Sequence, residues 1–152
     1  MLVSNYLRDK FCVMDLKAED KKGAIKEIAE KLAEGGKLTD KNKFVQDVLE
    51  REELGSTGIG NKIGIPHART DSVKGFVIGF GKSKQGIEFK SLDAEKVNLV
   101  FLMGADPAEL NLYLRILAEL SKLLMNNVFR QALILADTEA EIIEVVKKFE
   151  KK

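Results

Sequence analysis

Hydrophobic positions along this chain follow two spacings, one suited to strands and one to helices. The run Phe11-Cys12-Val13-Met14-Asp15-Leu16 is short and mostly apolar and predicts a strand. Ile25, Ile28, Ala29 and Leu32 then fall at i, i+3, i+4 and i+7, which puts them on one side of a helix. Asp20 is placed to cap its start, and Gly35-Gly36 to end it. Asp40 precedes Phe44, Val45, Val48 and Leu49, a second amphipathic helix that runs out at Glu50-Arg51-Glu52-Glu53-Leu54-Gly55. Ile63 to Ile65 reads as extended. Gly75 to Phe80 and Val97 to Met103 are near-continuous apolar runs bounded by turn signals, the pattern of strands buried on both faces. Gly86-Ile87-Glu88-Phe89 predicts a brief edge strand between them.

Asp106-Pro107 marks a helix start. Beyond it Leu110, Tyr113, Leu114 and Leu117 lie on one face, and Leu112, Ile116, Leu120 and Leu123 on another, which predicts a largely buried helix. Val128 to Leu135 gives a shorter helix. Thr138-Glu139-Ala140-Glu141 matches a capping box ahead of a stripe of Ile142, Ile143, Val146 and Phe149. Strands interleaved with helices predict one three-layer α/β domain over residues 1–152, its sheet covered by helices on both faces. The charged runs 50–53 and 147–152 read as solvated surface, Arg51 excepted.

Composition narrows the function without changing this picture. The chain is 45% hydrophobic and 32% charged, as ordinary globular proteins are. Its 25 Lys and Arg against 24 Asp and Glu create no overall field for nucleic acid or an anionic membrane. No apolar run approaches the roughly 20 residues that cross a bilayer, and no secretory segment opens the chain, so a cytoplasmic protein is expected. The single Cys12 excludes an intramolecular disulfide and reads as a small buried apolar residue. One His and one Cys, with no calcium-loop spacing of acids, argue against a metal site.

The chemistry concentrates in Gly58-Ile59-Gly60-Asn61-Lys62-Ile63-Gly64-Ile65-Pro66-His67-Ala68-Arg69. This stretch holds the only histidine and one of the two prolines. Its glycines allow tight turns and close approach, and Pro66 pushes Ile65 to an extended conformation, so His67 should be held in a defined direction. Imidazole is a competent nucleophile near neutral pH. Arg51, near the end of the second predicted helix, and Arg69 are candidate neighbours able to bind phosphate through paired hydrogen bonds. The combination points to phosphoryl transfer through histidine. The glycine spacing lacks the Gly-Lys-Ser/Thr ending of a nucleotide-binding loop, so a nucleotide kinase is disfavoured.

The stretch Arg51-Glu52-Glu53-Leu54-Gly55-Ser56-Thr57-Gly58-Ile59-Gly60-Asn61, with Pro66-His67-Ala68, resembles the IIA domain of the bacterial sugar phosphotransferase system, fructose/mannitol class. The likeness extends through Asp15-Leu16-Lys17-Ala18, Lys82 to Ile87, Val97 to Leu102 and Leu117 to Leu124, from about residue 11 to 149. It implies a mixed sheet between helices. It also implies that His67 accepts a phosphoryl group from the phosphocarrier protein HPr and passes it to a IIB domain, whose acceptor is normally a cysteine. Arg51 would offset the phosphoryl charge and Asn61 would help to shape the loop. The resemblance calls for no cofactor, metal or nucleotide; the chain itself is expected not to be membrane-embedded and to have no nucleic-acid partner.

One position departs from the family pattern. Where a second histidine usually opens His-Leu-x-Leu-Leu-Ala, this chain has Tyr113-Leu114-Arg115-Ile116-Leu117-Ala118. Tyr113 is a hydrogen-bond donor to the phosphoryl group or the His67 ring, or else a packing residue of the helix. Three functions stay open at this point. They are a carrier in sugar uptake, a nitrogen-type regulatory IIA protein that controls partner proteins by its phosphorylation state, and a degenerate homologue without transfer activity.

Overall fold

The computed structural model describes residues 3–150. Its strands are β1 (Leu7–Val13), β2 (Gly58–Gly60), β3 (Ile63–Gly64), β4 (His67–Arg69), β5 (Phe76–Ile87) and β6 (Val97–Ala105). Its helices are α1 (Lys21–Glu34), α2 (Lys41–Glu53), α3 (Leu110–Leu124), α4 (Asn127–Leu135) and α5 (Glu139–Glu150). The strands form one mixed sheet in the order β1-β5-β6-β3-β2, with β4 also paired to β6. β5 and β6 run antiparallel at its centre, while β1 lies parallel to β5 and both β3 and β4 lie parallel to β6.

Side-chain alternation along the central strands builds the two layers. Phe76, Ile78 and Phe80 of β5, with Leu99, Phe101 and Met103 of β6, join the cluster formed with α3, α4 and α5. Val77, Val100 and Leu102 face the opposite way, into the cluster formed with α1 and α2. Gly79 and Gly81 let α1 approach, since a Cβ on Gly79 would lie 2.5 Å from Ile28 Cγ2 and one on Gly81 2.7 Å from Ile28 Cδ1. Asp20 caps α1 through the Gly23 N–H, Asp40 caps α2 through the Lys43 N–H, and Gly35 ends α1. The three-layer arrangement and the two ends of α1 match the expectation from the sequence.

Four expectations are corrected. β1 starts at Leu7 and stops at Val13, because exposed Arg8, Asp9 and Lys10 interrupt the apolar pattern at the sheet edge. The segment at Gly86 is no separate edge strand. β5 continues through Lys82-Ser83-Lys84-Gln85 and pairs Ile87 with Val97 of β6, so a polar stretch lies inside one long strand. Helix α3 buries one face, through Tyr113, Ile116, Leu120 and Leu124, and leaves Leu110 and Leu114 exposed. It packs on one layer only, which needs a single stripe. In the C-terminal charged run the Glu150 carboxylate accepts from Ser4, while Phe149 packs on Phe129 with ring centroids 5.3 Å apart, as its place in the stripe of the last helix predicts. Residues 151 and 152 of that run lie outside the described residues.

Candidate functional site

β3 and β4 are two pieces of one line beside β6. Ile63 and Gly64 pair with Leu99 and Val100, and His67 to Arg69 pair with Met103 to Ala105. The break falls at Ile65-Pro66. The Ile65 N–H is drawn to the Thr57 carbonyl at 3.0 Å, and proline has no N–H to offer a ladder. Ala68 then points into the layer of α1 and α2. By strand alternation His67 and Arg69 share the other side. The end of α2 and the start of α3 meet them around a concavity of about 820 Å³, whose lining includes Arg51, Leu54, His67, Arg69, Leu110 and Tyr113.

His67 is half-buried, and its Nδ1 lies 2.7 Å from the Ile65 carbonyl oxygen. A carbonyl only accepts, so Nδ1 carries the proton and Nε2 keeps its lone pair. Burial holds the ring's pKa below 6.5, the nearby Arg51 charge acts in the same direction, and the Ile65 bond and the Glu52 charge oppose them. The outcome is a neutral imidazole at pH 7 with one nitrogen available as a nucleophile.

Arg51 sits in the last turn of α2 and donates from Nη1 to the Gly55 carbonyl at 3.1 Å. A guanidinium has five N–H groups, so that bond leaves others for an anion. Tyr113 is 7% exposed and belongs to the α3–α5 core cluster. Its ring also lies 5.8 Å from the His67 ring, centroid to centroid, at a tilt of 54°. Both roles expected of Tyr113 are thus sterically compatible. Burial raises its pKa, while the Arg51 and Arg69 charges oppose that shift, so the phenol keeps its proton at neutral pH. Arg69 is exposed along the same concavity. Asn61 is elsewhere. It and Lys62, with φ of 55° and 65°, make the two-residue turn between β2 and β3, and Asn61 does not line the concavity.

Reading the 50–53 run as surface misses Glu52, which is 6% exposed. Its carboxylate accepts from Lys21 Nζ at 2.7 Å, from the Thr57 N–H at 3.1 Å and from the Thr57 hydroxyl. The signal was in the helical phase. Val45, Val48 and Glu52 fall at i, i+3 and i+7, so the carboxylate occupies the core-facing stripe of α2. Among the described residues no group of three or more His, Cys, Asp and Glu side chains is placed to hold a metal, and no helix is long and apolar enough to cross a membrane.

Residues 5–149 match the family model described as phosphoenolpyruvate-dependent sugar phosphotransferase system, EIIA 2. The chain is 36% identical over 151 residues to the PTS system fructose-specific EIIABC component of Bacillus subtilis, a match covering 99% of this chain but 24% of that protein. It is 33% identical over 126 residues to the PTS system fructose-specific EIIA component of Haloferax volcanii, covering 83% of this chain and 82% of the relative. A nitrogen regulatory protein of Bradyrhizobium diazoefficiens is 35% identical over 111 residues, 72% of this chain and 71% of its own. Among solved structures, nitrogen regulatory protein IIA-Ntr from Neisseria meningitidis superposes with a TM-score of 0.87 at 24% identity, covering 95% of this chain and 98% of that one. The mannitol IIA of Escherichia coli, solved in complex with phosphorylated mannitol IIB, gives 0.79 at 23% identity over 93% and 99% of the two chains.

Proposed function

The chain belongs to the EIIA 2 family of the phosphoenolpyruvate-dependent sugar phosphotransferase system, and from that membership we propose that it is a phosphohistidine carrier. His67 Nε2 attacks the phosphorus atom of phosphorylated HPr. The bond from phosphorus to the donor breaks as the bond to Nε2 forms. The Nδ1 proton stays on the ring, held by the Ile65 carbonyl, so the phosphorylated ring is cationic and a good leaving group for the next step. That step delivers the phosphoryl group to a IIB domain in fructose- or mannitol-type sugar uptake. The group arrives activated on a protein, so neither metal nor nucleotide is required. The place of action is the cytoplasm.

Arg51 supplies positive charge to the phosphoryl oxygens, and Tyr113 offers a neutral O–H donor. Asn61 acts at a distance, by setting the turn that starts β3. The observation that carries this reading is the Nδ1 bond to Ile65, which leaves a neutral ring with its lone pair on Nε2 beside an arginine. Incubation with phospho-HPr is expected to add the mass of one phosphoryl group, acid-labile and base-stable, and His67→Ala to abolish the addition. An equal gain in the His67→Ala protein, or none in the wild type, removes the proposal.

The likeness to the Bradyrhizobium protein favours a second reading, in which phosphorylation of His67 switches binding to regulated partner proteins. Capture experiments with His67→Glu and His67→Ala separate the two. A switch requires different partner sets, and identical sets leave the carrier role.

A further inference from the structure

Glu52, on α2, accepts from the Thr57 backbone N–H, and Thr57 in turn holds Ile65 in the segment that leads to His67. Its carboxylate is nearly enclosed, with 3% of the side chain exposed, and it is paired with Lys21 at the start of α1. Lys21 is itself held over the Phe89 ring at 5.0 Å. Three donors converge on the two carboxylate oxygens: the Lys21 ammonium, the Thr57 N–H and the Thr57 hydroxyl. Thr57 then accepts from the Ile65 N–H at 3.0 Å, and Ile65 accepts from His67 Nδ1 at 2.7 Å. The chain Lys21–Glu52–Thr57–Ile65–His67 is continuous, and every donor in it has an acceptor.

We propose that Glu52 is a positioning residue for phosphoryl transfer. Anchored by Lys21, it fixes Thr57, and Thr57 fixes Ile65. The Ile65 carbonyl then keeps the proton on His67 Nδ1 and leaves Nε2 as the nucleophile. The same carboxylate is one residue from Arg51, so one buried charge sets the backbone on both sides of the concavity. The reason for a carboxylate there is geometric. It is the side chain that accepts three hydrogen bonds at once from a lysine and from both donors of one threonine. Its negative charge also acts on the His67 ring and opposes the effect of Arg51 on it. The inference rests on His67 as the acceptor, and the test separates the two.

His67 is the only histidine, so histidine-selective ¹⁵N labelling reads this ring alone. The wild type is expected to show the Nδ1–H tautomer. Glu52→Ala is expected to give a mixture of tautomers and to slow phosphoryl acceptance about tenfold or more, as loss of alignment does. Glu52→Gln is expected to restore the tautomer and most of the rate. Its amide oxygen still accepts from Lys21 and Thr57 N–H, and its NH₂ donates to the Thr57 hydroxyl. If Glu52→Ala does not fold, Lys21→Met with Glu52→Leu removes both charges together, which buried pairs tolerate far better than loss of one partner. A wild-type tautomer in the Ala protein, or in that double variant, overturns the proposal. So does a Gln protein as disturbed as the Ala protein, because charge and not the hydrogen-bond chain would then be responsible. If the wild type takes no phosphoryl group, the carrier reading falls, and the ring-nitrogen spectra still decide the role of Glu52.

Discussion

Two ring nitrogens of His67 have different fates, and the difference has a pH signature. The folded ring stays neutral to a pH below 6.5, whereas the unfolded chain takes up a proton near that value. Acceptance of the phosphoryl group is therefore expected to be level from about pH 8 down to 6.5 and to fall only below it. Linkage has the same sign. The unfolded state binds more protons in the window just under pH 6.5, so the ring's contribution to stability is present above that window and lost as pH falls through the folded-state pKa. A ring titration by NMR with a midpoint above 6.5 contradicts both statements. At Tyr113 the hydroxyl separates packing from chemistry. Tyr113→Phe keeps the ring in the core and removes one donor to a charged group, so transfer should slow about tenfold, corresponding to about 1.4 kcal/mol, with the melting temperature nearly unchanged. An unaltered single-turnover rate assigns Tyr113 to packing alone. Glu52 teaches a different lesson at this scale. A glutamate inside a charged run reads as surface until its phase on the helix is counted.

Elements show where local pattern suffices and where partners override it. The N-terminal cap of α1 was legible because it is made within a few residues, Asp20 to Gly23. The polar middle of β5 was not. Lys82, 8% exposed, sends its ammonium to the carbonyls of Leu133, Ile134 and Ala136, and so satisfies the C-terminal end of α4, about fifty residues away in the chain. No window of sequence holds both partners. Lys82→Met keeps the stem and removes the donor, and should cost about 1–3 kcal/mol in urea unfolding, with faster amide exchange at the end of α4. Equal stability would mean that water serves those carbonyls as well. In the same way the second apolar stripe of α3 was misread. Leu110 and Leu114 are exposed along the concavity instead of buried in a second layer.

For the molecule as a whole, β5 and β6 belong to both core clusters, which makes the two layers interdependent. We expect a single cooperative unit. Phe44 is fully buried in the layer of α1 and α2, and it covers Gly104, where an added Cβ would meet its ring at 2.6 Å. Both tyrosines lie in the other layer, Tyr113 within the cluster and Tyr6 packed against it, and the chain has no tryptophan. Phe44→Ala should cost about 3–5 kcal/mol. Tyrosine fluorescence and far-UV circular dichroism should still give coincident unfolding curves. Separated curves would show two independently unfolding layers.

The linear order of residues was enough to set the alternating pattern of strands and helices, the two ends of α1, the buried central strands and His67 as the candidate reacting group. Each of these depends on neighbours within one or two turns, or on a residue type that occurs once. Only the folded chain decided which nitrogen of His67 is free, that Tyr113 both packs and faces that ring, and that Asn61 stands away from it. It also decided that Glu52 is buried and that Lys82 caps a distant helix. Those outcomes depend on contacts between segments far apart in the chain, where close packing and the pairing of buried polar groups select one arrangement that no local pattern encodes.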